Sequence, residues 1–176
     1  MKYLVLPLLL MSTFAHAKEF KVAALYWSMN IEGQVAMRKG LEEERQRINS
    51  EAKAKGGHTV KVIPYVAGDG EAGIKNQVAQ FNDVATKGGV DLIIVQPTDN
   101  AALSEGLTLA NSKNIPVVAY DQYIIGGKIM SYVTSNNYQA GTLDGEYIAS
   151  RFKDEYEIKL TLSFIALFNK YSIVLL

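Results

Sequence analysis

The stretch GVDLIIVQPTDNAAL, residues 89–103, decides the fold. Residues 90–95 (VDLIIV) form an apolar run with the length of a buried strand. Pro97-Thr98-Asp99 interrupts it, and Thr98 or Asp99 can cap a helix entered at this point. Residues 100–113 then place Leu103, Leu107 and Ala110 on one face of that helix. Strand, capped turn and helix succeed one another without a spare residue.

The same rhythm extends in both directions. Toward the N-terminus, residues 20–26 (FKVAALY) read as a first strand. A long helix from Asn30 to about Lys55 comes next, with Met37, Leu41, Glu44 and Ile48 on one face. Gly33, Ala36 and Gly40 are expected to let that helix lie close to a sheet, and Gly56-Gly57 ends it. Residues 60–66 (VKVIPYV) are a second strand, which Pro64 places at a sheet edge. Residues 71–87 carry Ile74, Val78, Phe81 and Ala85 as one helical stripe and stop at Gly88-Gly89. Toward the C-terminus come strands at 115–120 (IPVVAY) and 129–133 and a helix over 138–153. Near-continuous apolar strands alternating with helices predict an α/β fold, a doubly wound parallel sheet covered on both faces. Its ligands bind outside the carboxyl ends of the strands.

Two ends of the chain fall outside this rhythm. Lys2, the apolar run 3–14 and Ala15-His16-Ala17 together have the form of a secretory signal peptide. Cleavage is expected after Ala17, giving an exported, periplasmic protein that starts at Lys18. Residues 158–176 contain no Gly and no acidic residue, and 13 of the 19 are apolar. They read as a strand leading into a truncated second lobe, as an aberrant tail or as a membrane helix. Lys159, Asn169 and Lys170 count against the last, since a lysine at mid-bilayer costs about 3 kcal/mol. The expected organisation is a signal peptide over 1–17, one lobe over 18–157 and the atypical tail over 158–176.

Composition narrows the functional classes. The 176 residues carry 18 Lys and Arg against 18 Asp and Glu, so no basic surplus argues for nucleic acid. With no Cys, thiolate catalysis, Cys-based zinc sites and disulfides are excluded. The two histidines make no catalytic pair and no metal cluster, and no nucleophile elbow, P-loop or zinc-protease signature occurs. No catalytic residue, metal ligand or cofactor is expected. Residues 68–73 (GDGEAG) match the dinucleotide pattern G-x-G-x-x-G, but Asp69 and Glu71 would set two negative charges beside a pyrophosphate. A flexible surface loop capped by acidic residues is the better reading.

The strand ends carry the candidate chemistry. Tyr26-Trp27-Ser28-Met29-Asn30-Ile31-Glu32 lies after strand one, and Tyr120-Asp121-Gln122-Tyr123 after strand four. Aromatic faces stack on the C–H face of a sugar ring, while carboxylates and amides hold its hydroxyls. On this reading Trp27 stacks, Asn30 and Glu32 orient hydroxyls, and Asp121 with Gln122 accepts and donates to the ring. A plainer reading stands beside it: Trp27 is core, Asn30 caps the first helix, Glu32 answers its dipole and Asp121 closes a turn.

Taken in order, KVAALYWSMN, RKGLEEE, GVDLIIVQPTDNAAL, IPVVAYDQ and YVTSNNYQAGTLDGEYIA resemble the ribose/galactose-type periplasmic sugar-binding proteins. These are type I solute-binding proteins of ABC importers. The resemblance covers about residues 21–152 and implies a Rossmann-like N-terminal lobe of a two-lobed protein that closes over its ligand by a hinge. It implies ligand contacts at Trp27, in the loop from Asn30 to Gln34, and at Asp121 and Gln122. Gly33 and Gln34 stand where relatives often have an aromatic pair, and Gln122 lacks a positive charge frequent there, so ribose or glucose does not follow as the ligand. The implied partner is an inner-membrane ABC permease, or alternatively a chemoreceptor or sensor kinase. An exported enzyme using Asp121 or Glu32 as base is the remaining class. Nothing after Phe152 resembles the family's second lobe.

Overall fold

A computed structural model describes residues 17–151. The described residues fall into two compact units, divided between Ser135 and Asn136. In the first, five parallel strands stand in the order β2-β1-β3-β4-β5. They are β1 (Glu19–Tyr26), β2 (Thr59–Val66), β3 (Leu92–Val95), β4 (Val117–Tyr120) and β5 (Ser131–Val133). Helix α1 (Glu32–Lys55) joins β1 to β2, α2 (Gly70–Lys87) joins β2 to β3, and α3 (Ser104–Ser112) joins β3 to β4. This is the expected doubly wound α/β sheet, with Pro64 on the edge strand β2, opposite Ala24 of β1. In the second unit, α4 (Asn137–Arg151) has no buried residue, and Arg151 lies over the Tyr147 ring.

Strand alternation sends two sets of side chains to opposite faces. Ala23 and Leu25 of β1, Ile93 and Val95 of β3, and Val117 and Ala119 of β4 meet Phe81, Val84 and Ala85 of α2 and Leu103, Leu107 and Ala110 of α3. Full burial of a Phe or Leu side chain stabilises by about 1.5–3 kcal/mol, so this face holds most of the core energy. The two helices approach closely because residue 106 has no side chain: a Cβ there would stand 2.9 Å from Phe81 Cγ.

Within the first unit, α1 covers part of the opposite face. Helix α1 packs over β2, and Arg38 stacks on the Tyr26 ring at 5.2 Å. Beyond it, Met37 and Leu41 of α1 border an open groove of about 510 Å³ over Ile94, Val118, Tyr120 and Val133. Gly33, Ala36 and Gly40 do not bring α1 onto the sheet as expected; they are exposed, and a Cβ at either glycine would touch nothing. The buried residue of this helix is Gln34, near its start. The rest of α1 is a charged surface helix laced by Arg47 with Glu44 and Glu51 and by Lys39 with Glu43.

Three further expectations need correction. Helix α3 begins four residues later than its pattern suggested, because Asp99 caps a separate turn through the amides of Ala101 and Ala102 at 2.9 and 2.7 Å. The G-x-G-x-x-G segment is not all loop: residues 70–73 are the first turn of α2, Gly68 N–H donates to Trp27 C=O, and a Cβ at Gly73 would fall 2.0 Å from Gly68 O. Asp69 is the N-cap of α2 but its side chain makes no capping bond. The signal peptide and the 158–176 tail lie outside the described residues, apart from Ala17. The lobe boundary expected at 157 compares with a division between Ser135 and Asn136.

Candidate functional site

Strand order reverses between β1 and β3, so β2 and β1 wind one way and β3, β4 and β5 the other. The loops leaving two such strands part company there and open a crevice at the carboxyl edge. The exits of β1, β3 and β4 therefore define the candidate site. With neighbouring strands about 4.8 Å apart, the ends of β1 and β4 stand about 10 Å apart across β3.

The exit of β1 is shaped from within. Gln34 is 5% exposed, and its Oε1 accepts the Ser28 N–H at 3.0 Å, tying the loop back to the first turn of α1. Ser28 is itself fully buried and its Oγ accepts the Asn30 N–H at 3.0 Å. Trp27 is half-buried and Asn30 and Glu32 are exposed. Asn30 does not cap α1, whose N-cap is Ile31; its amide donates instead to Asp69 Oδ2 at 2.6 Å, across to the exit of β2. Hydrogen bonds from Ser28 and then Asn30 hold the Asp69 carboxyl below its ordinary range.

The exit of β4 is held by backbone geometry. Asp121 has φ +64°, in the left-handed region that Asp tolerates better than most residues. Its N–H donates to Val133 C=O at 2.9 Å, and its C=O accepts from Tyr132 Oη at 3.0 Å and Thr134 Oγ1 at 3.3 Å. The carboxylate itself is exposed, with Oδ2 accepting Gln96 Nε2 at 2.9 Å. Gln122 is also exposed. Beneath them, burial pushes the Tyr120 phenol well above its ordinary range, with Tyr26 and Asp121 adding to the effect.

Gln96 and Gln77 are the residues that sequence reasoning missed. Both are fully buried. Gln77, on α2, donates to Gln96 C=O at 2.8 Å and accepts the Thr98 N–H at 2.6 Å, clamping the exit of β3. Gln96 donates its backbone N–H to Leu25 C=O at the end of β1 and its side-chain amide to Asp121. One residue thus ties the β1, β3 and β4 exits together. Its Oε1, like Thr98 Oγ1 in the same loop, is buried with no hydrogen-bond partner. The sequence signal was present: Gln77 sits four residues from both Gly73 and Phe81 on the inward stripe, and Gln96 directly follows an apolar strand.

Among the described residues Asn30 is tied to Asp69 and Asp121 to Gln96, with no direct hydrogen bond from Trp27, Asn30 or Glu32 to Asp121 or Gln122. Gln34 belongs to the scaffold of the β1 exit. Among the described residues no group of three or more His, Asp or Glu is placed to hold a metal ion, and no helix is long and apolar enough to cross a membrane.

Residues 23–169 match the Periplasmic binding protein domain family. The chain is 29% identical over 140 residues to a ribose import binding protein of Bacillus subtilis, covering 80% of this chain and 41% of that protein. The match thus spans less than half of that relative's length. Among solved structures, an ABC transporter periplasmic solute-binding protein of Actinobacillus succinogenes with bound D-allose superposes with a TM-score of 0.57 at 26% identity, over 75% of this chain and 43% of that one. The fructose-binding periplasmic domain of a hybrid two-component system gives 0.57 at 28%, over 75% and 39%.

Proposed function

Because the chain belongs to the periplasmic binding protein domain family, we propose that it is the N-terminal part of an exported binding protein that holds a small polyhydroxylated solute, a sugar, at the carboxyl edge of its sheet. The observation that carries this reading is Asp121: a carboxylate in a left-handed backbone, presented to solvent and anchored by a buried amide. Strained non-glycine residues concentrate at functional sites, and nothing in the turn itself requires a charged side chain there. Asp121 and Gln122 hold ring hydroxyls, Trp27 offers its face to the C–H side, and Asn30 and Glu32 orient further hydroxyls. Gln34 shapes the loop. The work is binding rather than turnover, and a second lobe completes the enclosure. Residues 1–17 direct export to the periplasm.

The partner is an ABC permease, to which the loaded protein delivers its solute. A second reading has one specific support, the fructose-binding domain of a two-component system among the similar structures: here the loaded protein is read by a sensor kinase. Calorimetric titration of the full chain with a panel of pentoses and hexoses tests the binding step. Saturable heat with one of them, weakened about tenfold or more in Asp121→Ala, is expected, since hydrogen bonds to a charged group are worth about 1.5–3 kcal/mol. Heat unaltered by Asp121→Ala refutes the site, and no heat from any sugar refutes the function.

A further inference from the structure

At the amino edge of the sheet, the end away from the candidate site, Lys18 is held at three points. Its backbone N–H donates to His58 Nδ1 at 3.0 Å, its C=O accepts the Thr59 N–H at 3.0 Å, and its Nζ pairs with Asp91 Oδ1. The Phe20 ring meets both partners, the His58 ring edge-on at 5.3 Å and Lys18 Nζ over its face at 4.4 Å. One residue ahead of β1 thus ties that strand to the start of β2 and the entry of β3. Lys18 is also the residue that cleavage after Ala17 makes the first of the chain, and removal of His16 leaves His58 as its one histidine.

Resting on the proposal that residues 1–17 are an export signal, and on their removal after Ala17, we propose that this removal completes a pH-gated latch. The α-ammonium of Lys18 donates to His58 Nδ1 and pins the amino edge of the sheet near neutral pH, and proton uptake by His58 releases it. Hydrolysis of the Ala17–Lys18 bond puts the oxygen of water on the Ala17 carboxylate and leaves the Lys18 nitrogen as an ammonium. That group has three donors where the amide had one, and its bond to the imidazole is charge-assisted.

An imidazole nitrogen accepts only while it carries no proton, so the contact needs the neutral ring with its proton on Nε2. Histidine takes up its second proton within about pH 5–8. Nδ1 then turns donor against donor and cation against cation, 3.0 Å from the Lys18 nitrogen. The latch is therefore closed above that uptake and opens as pH falls through it. Charged groups in the elements that meet here are Lys18, Glu19 and Lys21 at the start of β1, Lys61 in β2, Lys53 and Lys55 in the last turn of α1, and Asp91 ahead of β3. Asp91, held below its ordinary range first by Lys18 and then by the Lys21 amide, stays ionised in mild acid, so the Lys18 side chain keeps its anchor while its nitrogen lets go. These charges set where in the range the latch opens; none lets a protonated Nδ1 accept.

The test is hydrogen exchange at the Thr59 amide, whose acceptor is the Lys18 carbonyl, in the exported full chain, with the N-terminal residue identified by mass on the same sample. The expected result is a chain that begins at Lys18 and a Thr59 protection factor that falls about threefold or more between about pH 7.5 and about pH 5.5, a modest change because both partners are exposed. His58→Gln, which keeps an acceptor that does not titrate, abolishes the fall. Extension by Gly-Ser ahead of Lys18, which returns its nitrogen to an amide, lowers Thr59 protection at about pH 7.5. A chain that begins at Lys18 but whose Thr59 protection ignores pH, keeps its fall in His58→Gln or is unaltered by the extension overturns the latch while export and cleavage stand. A chain that begins elsewhere overturns the cleavage reading and the latch with it.

Discussion

Gln77→Met tests whether the site is built on a buried amide clamp. Methionine fills a similar volume without strain, so the loss is confined to two hydrogen bonds, at 2.8 and 2.6 Å, to the backbone of the β3 exit. Each is worth about 1 kcal/mol net, and each leaves behind a backbone group whose stranding costs about 1–3 kcal/mol where water cannot reach it. Gln96 C=O is fully enclosed, whereas Thr98 N–H is closer to the surface and recovers part of its loss to water. The sum is about 2–4 kcal/mol, a large share of the 5–15 kcal/mol that typically holds a domain together. Urea unfolding of the full chain reads it directly: with a slope of about 1–3 kcal/mol per molar, 3 kcal/mol moves the midpoint by about 1–3 M at unchanged slope. Hydrogen exchange gives the local counterpart, with the Thr98 amide losing protection before the strands do. A midpoint within about 0.3 M of the parent together with an unaltered Thr98 amide refutes the clamp.

Three other expectations rest on single contacts. Gly106→Ala pushes a methyl into Phe81 Cγ and Asn82 Oδ1, both 2.9 Å away, and costs about 1–3 kcal/mol by thermal unfolding, whereas Gly40→Ala, with nothing in reach, costs nothing or stabilises α1. At φ +64°, Asp121→Gly is more stable than Asp121→Ala by about 1 kcal/mol in urea although both remove the same carboxylate; equal stability would deny the strain. Asp91 is held below its ordinary pKa of 3.8, first by the hydrogen bond from Lys18 and then by the Lys21 amide. A depressed carboxyl stabilises the fold above that value and loses its contribution as pH falls through the folded pKa, so Asp91→Asn flattens the acid limb below about pH 4 in unfolding measurements and leaves its slope near neutrality unchanged.

The fold was legible because its information lies in runs of like side chains. Val22 to Leu25, Leu92 to Val95 and Val117 to Ala119 are apolar without interruption, and the glycines at 56 and 88 end the helices where the pattern stops. Phe81 and Leu107 fall on inward stripes that any helical projection shows. Interactions that close through space were less visible. Gln77 and Gln96 are polar letters that read as surface and Gln34 read as a ligand contact, yet all three are buried, Gln34 and Gln77 against backbone groups elsewhere in the chain and Gln96 against the Asp121 carboxylate. Gly33, Ala36 and Gly40 misled for the converse reason: small residues permit close packing, but whether a helix leans on them depends on what lies opposite, and here nothing does. Asp121 was found by its neighbours in sequence, while the positive φ that presents its carboxylate was not.

That backbone also limits what can replace Asp121. Of the side chains that reach the left-handed region at low cost, Asp and Asn are nearly the same size, and one base change interconverts their codons. The charge at the mouth of the β4 exit is therefore the least expensive thing in the site to alter, while its shape, set by Val133, Tyr132 and Thr134, is inherited almost unchanged. The charge at this exit can therefore change in one mutational step without passing through a misfolded intermediate.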